Sequence, residues 1–474
     1  MLYLNGCWEE SVTGQRKEVR NPATGELVGS VPAANEEDVR MAVEAAHEAF
    51  KSWSKKTASE RGELLYRAFE GLRSREREIA EILTLEQGKP LPEALGEVRF
   101  ATEFLRWYSE EAKRVYGETI PASSPNKRIL VIRQPVGVVG AITPWNFPAS
   151  MITRKIAPAL AAGCTVVLKP ADYTPLTAVL LFEAFHEAGF PPGVVNLVTG
   201  KGSIVGSELV NNPKVQKITF TGSTEVGKRL IRDAADQVKR VSMELGGHAP
   251  FLVFDDADLD QAAEACIVSK FRNAGQTCIC ANRIYVQDTV IDRFAQLLAD
   301  KVSQMKIGNG MEPGVDIGPL IDRRALEKVD EQVRDAVSKG AVVLAGGKEW
   351  EAPGLTGAFY EPTILFGVTD EMDICYEETF GPIAPLIAFS TEEEALRKAN
   401  NVPYGLAAYA FTRDTGRTFR VAEGLEYGIV GMNDPLPSVA QAPFGGWKES
   451  GVGREGGHYG LDPFLEIKYI SLGL

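Results

Sequence analysis

The chain has 474 residues, 64 of them acidic and 51 basic, for a formal net charge of −13. With 44% hydrophobic and 24% charged residues it has the composition of a soluble globular protein, and its length predicts two or three domains. The acidic balance argues against a general nucleic-acid binder, no apolar run reaches the about 18 residues of a membrane helix, and the N-terminus lacks a signal-peptide pattern, so neither nucleic acid nor membrane is an expected partner and the expected address is cytoplasmic.

From Asn35 to about Val115 the chain reads as helical. Asn35 with Asp38 suggests an N-cap, and Val39, Val43, Ala46 and Phe50 recur at helical spacing. Amphipathic segments follow over 59–85 and 93–116. After Pro121 the character changes to β over 128–133 and 136–142. Strand-like runs at 165–168, 194–197, 217–220 and 250–254 then alternate with helical stretches at 176–188, 202–211 and 226–235. Such alternation marks a parallel, helix-covered sheet. A second α/β series begins near Leu259, with helices at 260–271, 291–305 and 392–400 and strands at 283–286, 341–344, 384–389 and 407–411. The tail 466–472 reads as a last strand without a local partner, suited to pairing with another subunit.

Six cysteines with no CxxC pair and four scattered histidines with no HExxH spacing predict neither a disulfide scaffold nor a metal site. Chemistry then falls to Cys, Glu, Asn, Lys, Arg or a bound cofactor. In FRNAGQTCICANR, Cys278 follows Gly275 in a polar setting with Arg272 six residues before it, as a reactive thiol requires. In MELGGHAPFLVF, Glu244 stands before two glycines at a strand–loop junction, where a carboxylate can act as general base. In PWNFP, Asn146 sits on a rigid loop after a β segment, where its amide can be preset towards a developing oxyanion. FTGSTEVG runs from a strand into a helix with Gly222 and Gly227 flanking Ser223, and such a junction presents backbone N–H groups to phosphate. VVLKPAD puts Lys169 at a strand end with Asp172 three residues on, a pair able to bind ribose hydroxyls. Alone, each feature fits a blander role: a buried structural cysteine, a solvated glutamate, a turn asparagine.

Taken in order, PWNFP, LKPAD, FTGS, ELGG, GQTC and EETFGP resemble the NAD(P)-dependent aldehyde dehydrogenase superfamily from end to end. The resemblance implies an α/β fold of two parallel-sheet domains plus a small β oligomerisation arm. The NAD-binding domain would take 1–116 and 136–245, the catalytic domain 246–445, and the arm and tail 117–135 and 446–474, joining a homodimer or homotetramer. It makes Cys278 the nucleophile, Glu244 the general base, and Asn146 with the Cys278 amide the oxyanion hole. An aldehyde would pass through a thiohemiacetal and a thioester to the acid. The cofactor would be held by Thr143, Pro144, Trp145, Lys169, Asp172, Gly222, Ser223, Leu245, Glu378 and Phe380. The acid at Asp172 implies that NAD is preferred, with NADP possible.

A narrower likeness concerns the substrate. MITRK with Arg154, FRNAGQTCIC with Arg272, and LEIKYI resemble succinate-semialdehyde dehydrogenases, in which two arginines and a serine hold a distal carboxylate. Ser438 falls at the serine's place, on a loop that departs from the usual pattern at Asp434, Pro435 and Pro437. Glutarate or 2-oxoglutarate semialdehyde would use the same anchors, and a broad-range aldehyde dehydrogenase is the alternative.

Overall fold

A computed structural model describes residues 1–474. Two large sheets carry the fold. In the first, strands Val195–Leu197, Thr165–Lys169, Val138–Ile142, Val215–Thr221 and Arg240–Glu244 lie side by side and parallel. Leu2–Leu4 and Cys7–Glu9 add antiparallel strands at one edge, and Gly451–Val452 adds one at the other. The strands are apolar on both faces because helices cover both. Val139, Ala141, Val166 and Leu168 pack towards the helices at 58–111, Pro148–Ala162 and Pro175–Glu187. Their neighbours Val138, Ile142 and Val167 point the other way, against Glu36–Trp53 and Gly202–Asn211.

The second sheet runs Val342–Ala345, Thr363–Phe366, Ile383–Phe389, Ala281–Gln287, Ala249–Val253, Ala407–Phe411 and Ile429–Met432, parallel except for its first pair. A three-stranded antiparallel arm joins Glu118–Ile120, Lys127–Pro135 and Leu465–Gly473, in register from Leu465 opposite Pro135 to Gly473 opposite Lys127. Ile467 and Tyr469 on the last strand are exposed. No helix is long and apolar enough to cross a membrane.

Several elements depart from the sequence expectation. The segment over 59–85 is two helices, Ala58–Ser74 and Glu76–Gln87, because Arg75 leaves helical geometry at φ −107°, ψ 15°. Gly163, with a φ of +99°, ends helix Pro148–Ala162 before strand Thr165–Lys169 begins. That helix is buried all round, so it offers no polar face for periodicity to register. The stretch 446–474 also divides: Gly451–Val452 extends the first sheet beside Met243 and Glu244, and only Leu465–Gly473 enters the arm.

Candidate active site

The parallel order of the first sheet gathers motifs that are far apart in sequence. Lys169, Thr143, Thr221 with Gly222 and Ser223, and Glu244 with Leu245 all stand at or just past the C-terminal ends of neighbouring strands, where open α/β sheets bind ligands. The Thr143 N–H donates to the Lys169 carbonyl at 3.1 Å, and the Gly222 N–H to the Glu244 carbonyl at 3.1 Å. Ser223 caps helix Thr224–Ala235 by accepting from the Val226 N–H. A Cβ on Gly227 would lie 2.2 Å from Leu245 Cδ2, so any larger residue would displace the Leu245 side chain on which this helix sits.

This surface fits a dinucleotide. The Thr143 and Thr221 hydroxyls are buried without a partner. Gly246 brings backbone so near Glu378 that a Cβ would stand 3.1 Å from Oε2. Glu378 accepts from the Gly247 N–H at 3.2 Å, and burial pushes its carboxyl up to about 7. Trp145 and Phe380 meet edge to face at 5.7 Å, with Pro144 between Thr143 and the indole. Phe380 holds a left-handed φ of 52°, a strained setting for a bulky residue. The Asp172 carboxylate is ion-paired with Lys169 at 2.6 Å and with Lys17 at 3.5 Å.

The second sheet supplies the thiol. Between helix Leu259–Phe271 and strand Ala281–Gln287, Asn273, Ala274 and Gly275 all take left-handed φ values of 52°, 53° and 75°. Such a run persists only if its surroundings hold it. Here Glu93 Oε2 accepts from the Asn273 N–H at 2.8 Å, Gln87 Nε2 donates to Asn273 Oδ1 at 2.9 Å, and Asn273 Nδ2 donates to the Asn146 carbonyl at 3.1 Å. The same turn thus ties the PWNFP loop to the GQTC loop. Asn146 Nδ2 donates one hydrogen to the Gln276 carbonyl at 3.1 Å, which leaves its second hydrogen free. Gly247 passes so close to the thiol loop that a Cβ there would stand 2.5 Å from the Cys278 carbonyl oxygen.

Burial dominates the electrostatics. It pushes the Cys278 thiol up to about 12, with the charge of Arg154 the largest influence in the other direction. It also lifts the Glu244 carboxyl well above its ordinary range, aided by the negative charge of Glu455. Glu244 Oε2 is buried and has no partner. Burial thus favours the neutral form of both the thiol and the carboxyl.

A cavity of about 290 Å³ opens beside the thiol. Cys278, Arg154, Arg272 and Ser438 line it together with Phe147, Met151, Phe444, Glu93 and Glu97. Arg154 is buried, stacked 4.1 Å from the Phe444 ring, with Nη1 unpartnered and Nε 3.2 Å from Glu455. Arg272 lies 5.2 Å over the Phe147 ring. The sequence expectation contained the thiol, both arginines and the serine, but missed Glu93, Glu97, Lys89, Lys155 and Glu455. Glu93 and Glu97 stand four residues apart on one helix, a spacing that puts both on one face. Lys155 and Glu455 lie far apart in sequence, so no local signal joins them.

Comparison with known proteins agrees with this fold. The family described as "Aldehyde dehydrogenase family" matches residues 8–470. The chain is 54% identical to a glutarate-semialdehyde dehydrogenase of Pseudomonas putida, over 100% of this chain and 97% of that protein. It is 53% identical to a succinate-semialdehyde dehydrogenase of Escherichia coli named for NADP(+), over 99% of this chain and 97% of that protein. The crystal structure of an E. coli NADP-dependent enzyme superposes with a TM-score of 0.98 at 52% identity, covering 100% of this chain and 98% of that one.

Proposed function

Starting from the aldehyde dehydrogenase family, to which this chain belongs, we propose that the enzyme oxidises an aldehyde carrying a distal carboxylate, succinate semialdehyde or a close homologue such as glutarate semialdehyde. The observation that carries this reading is the cavity itself, which sets two arginines and a serine around the space in front of a single thiol. Arginine suits the task because its planar fork meets a carboxylate bidentately. The names of the relatives span both chain lengths, and the same anchors serve both.

In this reading Glu244 takes the Cys278 proton as the sulfur attacks the aldehyde carbon and a C–S bond forms. The oxygen gains charge in reach of the free Asn146 amide hydrogen and the Cys278 backbone N–H, which hold the thiohemiacetal oxyanion. The dinucleotide, when bound, supplies the hydride acceptor. Oxidation leaves a thioester on Cys278. Glu244 releases its first proton to solvent and then accepts a proton from water, the water oxygen adds to the acyl carbon, and the C–S bond breaks as Glu244 passes that proton to the sulfur, releasing the acid and restoring the thiol. The raised pKa of Glu244 makes it a stronger base once ionised, which suits both proton transfers.

The family uses NAD(P). For this chain, Lys169, Asp172, Ser223, Glu378 and Phe380 are the residues proposed to hold the dinucleotide. Asp172 favours NAD by accepting from a 2′-hydroxyl, whereas the E. coli relative's name points to NADP. The domain assignment drawn from sequence is retained as part of this proposal, with Gly451–Val452 reassigned to the first sheet. So is a homodimer or homotetramer, supported by the exposed Ile467 and Tyr469 on the arm. A cytoplasmic address is supported by six unbridged thiols. The test is a steady-state comparison of succinate, glutarate and 2-oxoglutarate semialdehydes with butanal, using NAD and NADP side by side. A preference for butanal would replace this reading with that of a broad-range enzyme.

A further inference from the structure

Asp172 stands between two lysines of unlike character. Lys169 Nζ donates to Asp172 Oδ1 at 2.6 Å from a side chain only 6% exposed, at the end of strand Thr165–Lys169. Lys17 approaches from elsewhere, on the N-terminal strand Arg16–Arg20, which pairs with Leu27–Pro32. Its Nζ is 3.5 Å from Asp172 Oδ2 and 5.9 Å from the Tyr173 ring, on a side chain 41% exposed. The Tyr173 hydroxyl is engaged elsewhere, donating to Asp322 at 2.7 Å.

The charges bear on the ribose. Lys169 and Asp172 alone cancel. A carboxylate so placed can accept from a 2′-hydroxyl and repels a 2′-phosphate. Lys17 turns the local sum positive, and its longer contact on a flexible, half-exposed stem lets the ammonium turn from the carboxylate to a phosphate oxygen. Lys169 lacks that freedom because it is buried and closely bonded.

We propose that Lys17 is a specificity-determining residue for the dinucleotide: it screens Asp172 and binds the 2′-phosphate of NADP, so the enzyme accepts NADP despite an acid at that position. This rests on the placement of the adenosine ribose at Lys169 and Asp172.

The experiment compares the native enzyme with Lys17→Ala, Lys17→Glu and Lys17→Arg in two assays. One is the ratio of kcat/KM for NADP to that for NAD. The other is calorimetric binding of adenosine 2′,5′-bisphosphate and of 5′-AMP, which needs no turnover. Loss of one charge-assisted contact predicts a fall of about tenfold in both the cofactor ratio and the bisphosphate affinity for Lys17→Ala. Lys17→Glu should fall further and Lys17→Arg should restore most of the effect. An ordinary exposed ion pair would leave the ratio unmoved in all three variants. That result, or equal losses for both cofactors, overturns the role of Lys17 while leaving the ribose site in place. If neither nucleotide binds the native enzyme, the ribose site itself falls and takes this role with it.

Discussion

Lys89 Nζ lies 2.5 Å from Glu97 Oε2, and both side chains are out of reach of water. The pair braces the PWNFP loop from beneath. Lys89 also donates to the Asn146 carbonyl at 2.7 Å, while Glu97 Oε1 accepts from the Ala149 and Ser150 N–H groups at 2.9 and 3.3 Å. Helix Pro148–Ala162 has no side-chain cap of its own, so Glu97 serves as one from another helix. Glu97→Ala would strand a buried ammonium, and is expected to lower stability by about 3–5 kcal/mol. The combined Lys89→Met and Glu97→Leu change, which removes both charges, should lose less. Urea unfolding of the three proteins checks this, and a double variant less stable than Glu97→Ala would refute it.

The Cys278 thiol, pushed up to about 12 by burial, is almost wholly protonated at neutral pH without a partner base. Alkylation by iodoacetamide in the absence of dinucleotide should therefore rise close to tenfold per pH unit from pH 7 to 10, with no plateau near the ordinary thiol range. Cys278→Ser should abolish aldehyde oxidation, and mass spectrometry after a rapid quench should find an acyl group on the native cysteine. A levelling of the alkylation rate by pH 8.5 would mean that the thiol is already activated at rest.

Much of this site is legible from the sequence, because its parts lie at strand ends and in loops whose glycines and polar residues stand out. Gly222, Gly246, Gly247 and Gly275 mark close approaches to the Phe220 ring, the Glu378 carboxylate, the Cys278 carbonyl and the Gly381 carbonyl. Cys280 is fully buried at the end of the turn closed by its N–H to the Thr277 carbonyl, its thiol donating to the Lys270 carbonyl. The supporting residues are hidden for a physical reason. Glu97, Lys155 and Glu455 are charged side chains inside the protein, where amphipathic patterning expects apolar ones, and their partners come from other elements. The pairing of Lys17 with Asp172 is tertiary in the same sense. The short N-terminal strands are missed because three-residue strands carry too little alternation to register.

Buried carboxyls give the fold a pH dependence opposite to the common acid-labile kind. Glu86 is buried, accepts from the Leu176 and Thr177 N–H groups at 2.7 and 2.8 Å, and is raised by burial to about 8. Its folded pKa exceeds its unfolded value of 4.5, so the folded state holds the proton more tightly. The associated stability is present below that unfolded value and is lost as pH rises towards 8. Glu93 and Glu378, each pushed up to about 7, act in the same direction. Denaturation free energy should thus decline from pH 5 to pH 8, and Glu86→Gln should flatten part of that slope. An unchanged slope in the variant would assign the decline to other groups.

Arg272 and Arg154 line one cavity but are differently committed. Arg154 is buried, stacked on Phe444 and 3.2 Å from the Glu455 carboxylate, which itself takes an ion pair from Lys155 at 2.5 Å. Arg272 forms no ion pair within 4.0 Å and rests over Phe147. Arg272 is thus the freer of the two to close on an incoming carboxylate. A charged hydrogen bond is worth about 1.5–3 kcal/mol, so Arg272→Leu should lower kcat/KM for succinate semialdehyde about 10- to 150-fold. Butanal, which has no carboxylate to anchor, should change little. Arg154→Leu should also harm the charged substrate, but with a loss of thermal stability, because it leaves the buried Glu455 with Lys155 alone. Equal losses for both aldehydes in Arg272→Leu would show that this arginine shapes the thiol loop instead of holding the substrate.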